Sequence, residues 1–437
     1  MSVSCGLECV LCLGCSRWAW KRLTYVGAYD SETWPPAAAE DVEPIPRACR
    51  AVLAVYEEDL ANPRYAPTGG YRMDPSEVVK RVPYDQIPDG CCPPYLIYVD
   101  RQHKEVILAV RGLNLIRESD YKVLLDNRLG QQMFDGGFVH HGLLQAATWL
   151  LNHEGDTLRD LLCKLGPEYK LVFAGHSLGS GIAALMTIIV VNHRNEFGGI
   201  PRNQIRCYAI APARCMSLNL AVKYADVIYS VILQANTFIP EKRKLRDPRR
   251  LYAPGRMYHI VERKFCRCGR YPPVVRTAIP IQGRFEHIVL SCSATSDHGI
   301  IWIEREAQKA LDLLKDTEPK TPPTQQKMDR KQSLEQEHKA ALEKVVSLNI
   351  PHAVAATEEF IGAPSTAPSE GQQVATSGGG SKSSGRANWD QLVEKLFTKT
   401  ESGNLYDFLV GHANNTMRTK SFRAVIGQTM ARKINRT

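Results

Sequence analysis

At 437 residues, of which 44% are apolar and 23% charged, the chain is long enough for one large core with appendages and too apolar for a disordered or fibrous protein. Its formal net charge of +9 gathers in Glu241–Arg250 (EKRKLRDPRR) and at the C-terminal end, without a stripe of interleaved aromatics, which excludes a dedicated nucleic-acid groove and points to local attraction for anionic surfaces. Thirteen cysteines without a secretory leader, several inside expected strands and helices (Cys163, Cys207, Cys292), read as reduced thiols of a cytoplasmic protein.

The N-terminal stretch MSVSCGLECVLCLGCSRWAW carries Cys5, Cys9, Cys12 and Cys15 and is followed by Lys21 and Arg22. It is too short to span a bilayer and lacks the charged start of a signal peptide. Three readings stay open for its cysteines: metal ligation, burial against the core, and reversible acylation that would hold the protein peripherally on a membrane. Ser31–Pro46, rich in proline, alanine and acid, reads as a linker, so a first unit is drawn over 1–44.

Ile45–Leu60 has apolar residues at helical spacing, and Pro63–Pro94 is polar and turn-rich. Tyr95–Val99 and Val106–Val110 read as two short strands, the second ending at Arg111-Gly112-Leu113. Loops after parallel strands face the active site in α/β folds, so this strand end is either an oxyanion donor or a plain turn. Asn114–Gly137 is a charged connection with Asp120 and Asp126. His140-His141-Gly142 and a helix reaching Leu165 follow.

Leu171–Val190 (LVFAGHSLGSGIAALMTIIV) is an apolar run interrupted by Gly175-His176-Ser177-Leu178-Gly179. It reads as strand, tight turn and helix. A serine at such a turn is held in strained geometry with its hydroxyl above the sheet, glycines two residues either side let strand and helix pack closely, and the Leu178 N–H is free to bind an oxyanion. The alternative is a structural Gly-Ser turn. Further strands are expected at Ile205–Ile210, Val227–Gln234, Met257–Val261 and Phe285–Ser291, and a helix at Ile300–Leu314. Strands alternating with helices predict a doubly wound, mostly parallel sheet flanked by helices.

From Lys315 the composition shifts, and 317–437 is set apart from a central domain over 45–316. This last unit comprises a proline linker, a charged helix Gln325–Ser347, a disordered stretch Ala363–Gly385 and a short amphipathic helix Ala387–Thr398. Its end, Ser421–Arg436, is either a basic amphipathic element for a membrane or calmodulin-like groove, or a solvated tail.

A serine nucleophile needs a base, and the base an acid that fixes its tautomer. His298, after the last expected strand and before the final helix, has the right place. His287 and His259 lie inside strands, and His176 beside the serine points elsewhere. The acid should follow the strand near Gln234, yet Ala235-Asn236-Thr237-Phe238-Ile239-Pro240 has no carboxylate. Asp226 is at the wrong end of that strand, and Glu241 and Asp247 lie in the basic loop. Nothing in this serine and histidine pattern calls for a metal or a cofactor.

Arg111-Gly112, Val139-His140-His141-Gly142, Gly175–Gly179 and Asp297-His298 together resemble the class 3 lipases, in particular the plant mono- and diacylglycerol lipase-like branch with an N-terminal extension. The resemblance implies an α/β-hydrolase fold, Ser177 as nucleophile, His298 as base, the N–H groups of Leu178 and Leu113 as oxyanion donors, and mono-, di- or triacylglycerol as substrate. Some relatives carry a calmodulin-binding label. Such relatives follow the strand equivalent to Val227–Gln234 with an Asp-Asp-aromatic-aliphatic-Pro-Arg run. Here Gln234 passes almost directly into Thr237–Arg250, and the missing piece would hold the triad acid. Losing the acid alone typically lowers turnover by about four orders of magnitude. The expectation is therefore a serine lipase weakened in this way, with an inactive lipase-like membrane- or calmodulin-binding protein as the alternative.

Overall fold

The computed structural model describes residues 31–88, 91–114, 117–126, 132–233, 250–261, 273–281, 298–317, 324–348 and 387–399, besides three isolated positions near the N-terminus. Outside them lie Cys5, Cys9 and Cys15, the Gln234–Thr237 junction with Glu241 and Asp247, the expected strand Phe285–Ser291 with His287, the stretch Ala363–Gly385 and the basic segment Ser421–Arg436.

The strands are β1 (Val78–Val82), β2 (Tyr95–Asp100), β3 (Glu105–Val110), β4 (Gln132–Phe134), β5 (Lys170–His176), β6 (Ile205–Ile210), β7 (Ile228–Ile232), β8 (Arg256–Val261), β9 (Val274–Ala278) and β10 (Phe397–Lys399). The helices are α1 (Ala39–Val42), α2 (Pro44–Ala54), α3 (Glu118–Leu125), α4 (His141–Leu165), α5 (Leu178–Asn192), α6 (Leu218–Lys223), α7 (Ile300–Thr317), α8 (Thr324–Ser347) and α9 (Trp389–Glu394).

Eight strands form one sheet in the order β1-β2-β3-β5-β6-β7-β8-β9. β3 to β8 run parallel in that sheet, while β1, β2 and β9 make antiparallel edges. This is the α/β-hydrolase arrangement, a mostly parallel sheet covered by helices. Successive side chains of a strand point to opposite faces, and the core divides accordingly. Leu171 and Phe173 of β5 join Leu108 of β3 and the inner residues of α4 and α5, whereas Val172 and Ala174 join Ile107, α2 and α7 on the other face. Buried on both sides, β5 reads as a continuous apolar run with no alternation.

Four strands, β1, β4, β9 and β10, escape the sequence pattern. β1 lies within the stretch expected to be only turns, because an edge strand with four partly or fully exposed residues carries little apolar signal. β9 alternates in burial but is five residues long, and β4 is shorter still.

Stretches on the far side of the boundaries expected at 44 and 317 pack against the central domain. The proline-rich stretch before α2 lies along β9, with Ala37 N–H donating to Val275 O at 2.9 Å and Thr277 N–H to Pro35 O at 3.0 Å. The charged helix α8 buries Ala341 and Val345 in the main core and pairs Glu337 with Arg256 at 2.8 Å. The expected helix Ala387–Thr398 stops at Glu394 and continues as β10, which pairs with β4 instead of extending the helix. Among the described residues no helix is long and apolar enough to cross a membrane.

Candidate active site

Ser177 stands between β5 and α5 with φ 52° and ψ −113°, a backbone region costly for any residue with a Cβ. Its surroundings hold it there. The Ser177 N–H donates to Ile210 O of the neighbouring strand at 2.9 Å, and Ser177 O accepts from Ser180 N–H at 3.2 Å. A Cβ on Gly175 would stand 2.6 Å from Ser180 N and against Gly179 O, and one on Gly179 would stand 2.6 Å from Val110 O and against Arg111 O. Both glycines are therefore required by backbone-to-backbone approach, the first between strand and helix, the second between helix and the β3 end.

The β3 end and the elbow are neighbours because Val110 pairs with Gly175 in register. On either side of Leu113 the chain is tied down: Gly112 N–H donates to Tyr56 Oη at 2.8 Å, and Asn114 N–H to Asp120 Oδ2 at 2.8 Å. Asp120 is 1% exposed and also accepts from Tyr84 Oη at 2.8 Å. Leu178 occupies the first position of α5, where an N–H has no intrahelical acceptor and the helix dipole favours negative charge.

His298 comes just before α7, and its Nε2 lies 2.9 Å from Ser177 Oγ across 121 positions of sequence. The ring is exposed at one side, yet the protein around it withdraws enough water to lower its pKa from the usual histidine value. The shift favours the uncharged ring, the form a base needs. Among the described residues no carboxylate accepts from its Nδ1, and the stretch after β7 where an acid is expected lies outside them.

His176 is not the base, but it is not idle. Its Nε2 is 2.8 Å from the His298 carbonyl, and its Nδ1 is 2.9 Å from Tyr56 Oη. A carbonyl only accepts, so Nε2 carries the proton, Nδ1 accepts from the Tyr56 hydroxyl, and that hydroxyl accepts from Gly112 N–H. One line of hydrogen bonds thus ties the β3 end to the backbone of His298. Burial pushes the His176 pKa down to about 4, with the hydrogen bond to His298 O opposing and the nearby His298 ring reinforcing it. Tyr56, pushed up to about 12 by burial, keeps its proton. The Arg111 guanidinium lies 4.6 Å from the Tyr56 ring centre. Nothing in the sequence marks Tyr56, since it sits 120 positions from His176 at the end of α2.

The remaining candidates have structural work. His259, in β8, is hydrogen-bonded to Ser31 Oγ at 2.6 Å. Asp226 makes a two-pronged ion pair with Arg202, at 2.6 and 2.7 Å. His140 caps α4 through Leu143 N–H at 3.3 Å and meets Leu124 O at 3.1 Å, while His141 pairs with Asp126 at 3.0 Å. Among the described residues no group of histidine, cysteine and carboxylate side chains has the arrangement of a metal site.

A strained serine in hydrogen-bond contact with a histidine, at a helix N-terminus beside a braced strand end, can open a carbonyl by nucleophilic attack. The model of the family "Lipase (class 3)" matches residues 107–241, and that of "Lipase 3 N-terminal region" matches residues 6–73. A stretch of 148 residues, 32% of the chain, is 30% identical to diacylglycerol lipase-beta of Mus musculus and spans 20% of that protein. The chain thus matches about a fifth of the length of that curated relative. Among solved structures, a Rhizomucor miehei lipase propeptide complex is 14% identical with a TM-score of 0.43, covering 64% of this chain and 88% of its own. The lipase of Rhizopus microsporus var. chinensis is 15% identical with a TM-score of 0.41, covering 60% and 87%.

Proposed function

We propose that the chain, whose residues 107–241 match the class 3 lipase model, hydrolyses acyl esters of neutral glycerolipids, mono-, di- or triacylglycerols, through an acyl-enzyme on Ser177. The observation that carries the reading is the 2.9 Å contact between His298 Nε2 and Ser177 Oγ at a serine with φ 52°. Ser177 Oγ attacks the ester carbonyl as His298 takes its proton. The oxyanion of the tetrahedral intermediate is received by the N–H groups of Leu178 and Leu113. His298 then returns the proton to the departing alcohol, and a water activated by the same histidine releases the fatty acid.

An apolar substrate is supported by exposed side chains close in sequence to the site: Ile301 and Trp302, three and four positions after His298, and Leu124 and Leu125 at the end of α3, Leu125 being 75% exposed. We place the protein at the cytoplasmic face of a membrane, held peripherally, where such substrates reside. With no carboxylate in Ala235–Pro240, where the triad acid is expected, turnover below that of a complete triad by up to about four orders of magnitude is in keeping with the same reading.

The test compares the wild-type chain with Ser177→Ala on short-chain p-nitrophenyl esters and on diacylglycerol in mixed micelles. Hydrolysis by the wild type that disappears in the variant supports the acyl-enzyme; equal rates sink it.

A further inference from the structure

Residues 387–399 follow residues 349–386, which lie outside the described structure, and return to the hydrolase domain as a short strap. Its anchor is Trp389, 2% exposed, whose ring stands 5.5 Å from Phe197 and 6.4 Å from His193. The indole sits over Gly155 in the middle of α4, where a Cβ would come 2.5 Å from Trp389 Nε1. Glycine is a poor residue for a helix interior, and this contact is the physical reason for it.

Polar groups fix the direction of the strap. Asn152 Oδ1 accepts from Trp389 N–H at 3.1 Å, Asn152 Nδ2 donates to Asp390 Oδ2 at 2.9 Å, and Asn388 caps α9 through Gln391 N–H at 3.3 Å. Val393 is buried, and Leu392, Leu396 and Phe397 pack against the main core. Beyond α9 the chain becomes β10, pairing Phe397 with Phe134, Thr398 with Met133 and Lys399 with Gln132, and Asp135 N–H donates to Leu396 O at 2.7 Å. The apolar face of the expected amphipathic helix is thus spent on the domain itself.

β4 is the middle of the excursion from the β3 end to α4. Its upstream limb carries α3 and Asp120, which holds Asn114 N–H beside Leu113. Its downstream limb turns at Asp135, whose carboxylate accepts from Lys223 at 3.0 Å and from the Tyr224 hydroxyl.

We propose that the surface formed by α4, the 194–197 turn and the edge of β4 is a peptide-docking site whose ligand is this chain's own segment 387–399, held reversibly, and that its occupation fixes residues 132–137. The partner chemistry is set by the surface: a tryptophan for the Gly155 seat, an apolar residue four positions on, and then an extended stretch to pair with β4. β4 and β10 form a two-stranded sheet apart from the eight-stranded one, and such a peripheral unit can open without global unfolding. Release of the strap therefore frees β4 and leaves the central sheet intact. The inference stands on packing alone and does not depend on the ester chemistry.

The experiment is hydrogen exchange by mass spectrometry on the full chain and on its Trp389→Ala and Gly155→Ala variants. In a helix without the strap, Gly155→Ala would strengthen α4; with the strap seated it collides with the indole. Both variants should exchange about tenfold faster over residues 132–137, with β5 and β6 unchanged. A synthetic peptide of residues 387–399 should restore slow exchange in Trp389→Ala, whose seat is empty, and not in Gly155→Ala, whose seat is filled. Unchanged exchange over 132–137 in Gly155→Ala, restoration in both variants, or restoration in neither would overturn the proposal.

Discussion

Replacing His176 by glutamine tests whether the elbow is held by a neutral, buried imidazole. His176 is 8% exposed, and its pKa falls from the ordinary 6.5 to about 4, chiefly through burial. The folded state therefore resists protonating it, while the unfolded chain takes up a proton near pH 6.5. Between those two values the unfolded state binds more protons, so stability falls as pH drops from 6.5 towards 4 and is fully present above 6.5. At about 1.4 kcal/mol per unit, the shift amounts to roughly 3 kcal/mol. Urea unfolding of wild type and His176→Gln at pH 7 and pH 4 measures it. Carboxylates elsewhere weaken both chains alike in acid and cancel in the difference. At pH 7 the variant should be the less stable, having lost two buried hydrogen bonds, and at pH 4 the gap should have closed by roughly 3 kcal/mol. A gap independent of pH would refute the argument, because it would mean that the imidazole is either solvated or charged in the fold.

Two further outcomes follow from the same geometry. Gly179→Ala would push a Cβ against two backbone carbonyls of the β3 end, so a loss of about 3 kcal/mol in urea unfolding is expected, together with the loss of ester turnover. Wild-type stability in that variant would show that helix and strand end do not approach as described. Tyr56→Phe removes the hydroxyl that links Gly112 N–H to His176 Nδ1, so kcat should fall about ten- to a hundredfold with KM unchanged, as misplacement of a reacting group does. A rise in KM with unchanged kcat would instead give Tyr56 a role in binding substrate.

The elbow and the alternation of strands and helices are legible in the amino-acid order. Those features are written in neighbouring residues: an apolar run such as Leu171–Ala174, the glycines at 175 and 179, and the 3.6-residue spacing of α4 and α7 each act over one or two turns of chain. Edge strand β1 and the short strand β4 carried too few buried positions to leave that mark.

Tertiary structure alone decided the rest. His298 reaches Ser177 only because strand order sets β5 at the centre of the sheet and brings the start of α7 above its end. Tyr56 and His176 meet across 120 positions, a contact that no local pattern encodes. Charge and composition set α8 and the 387–399 segment apart from the domain, but burial of Val345 and Trp389 joined them to it. Amphipathicity states that a face must be covered; only the packed molecule supplies the surface that covers it.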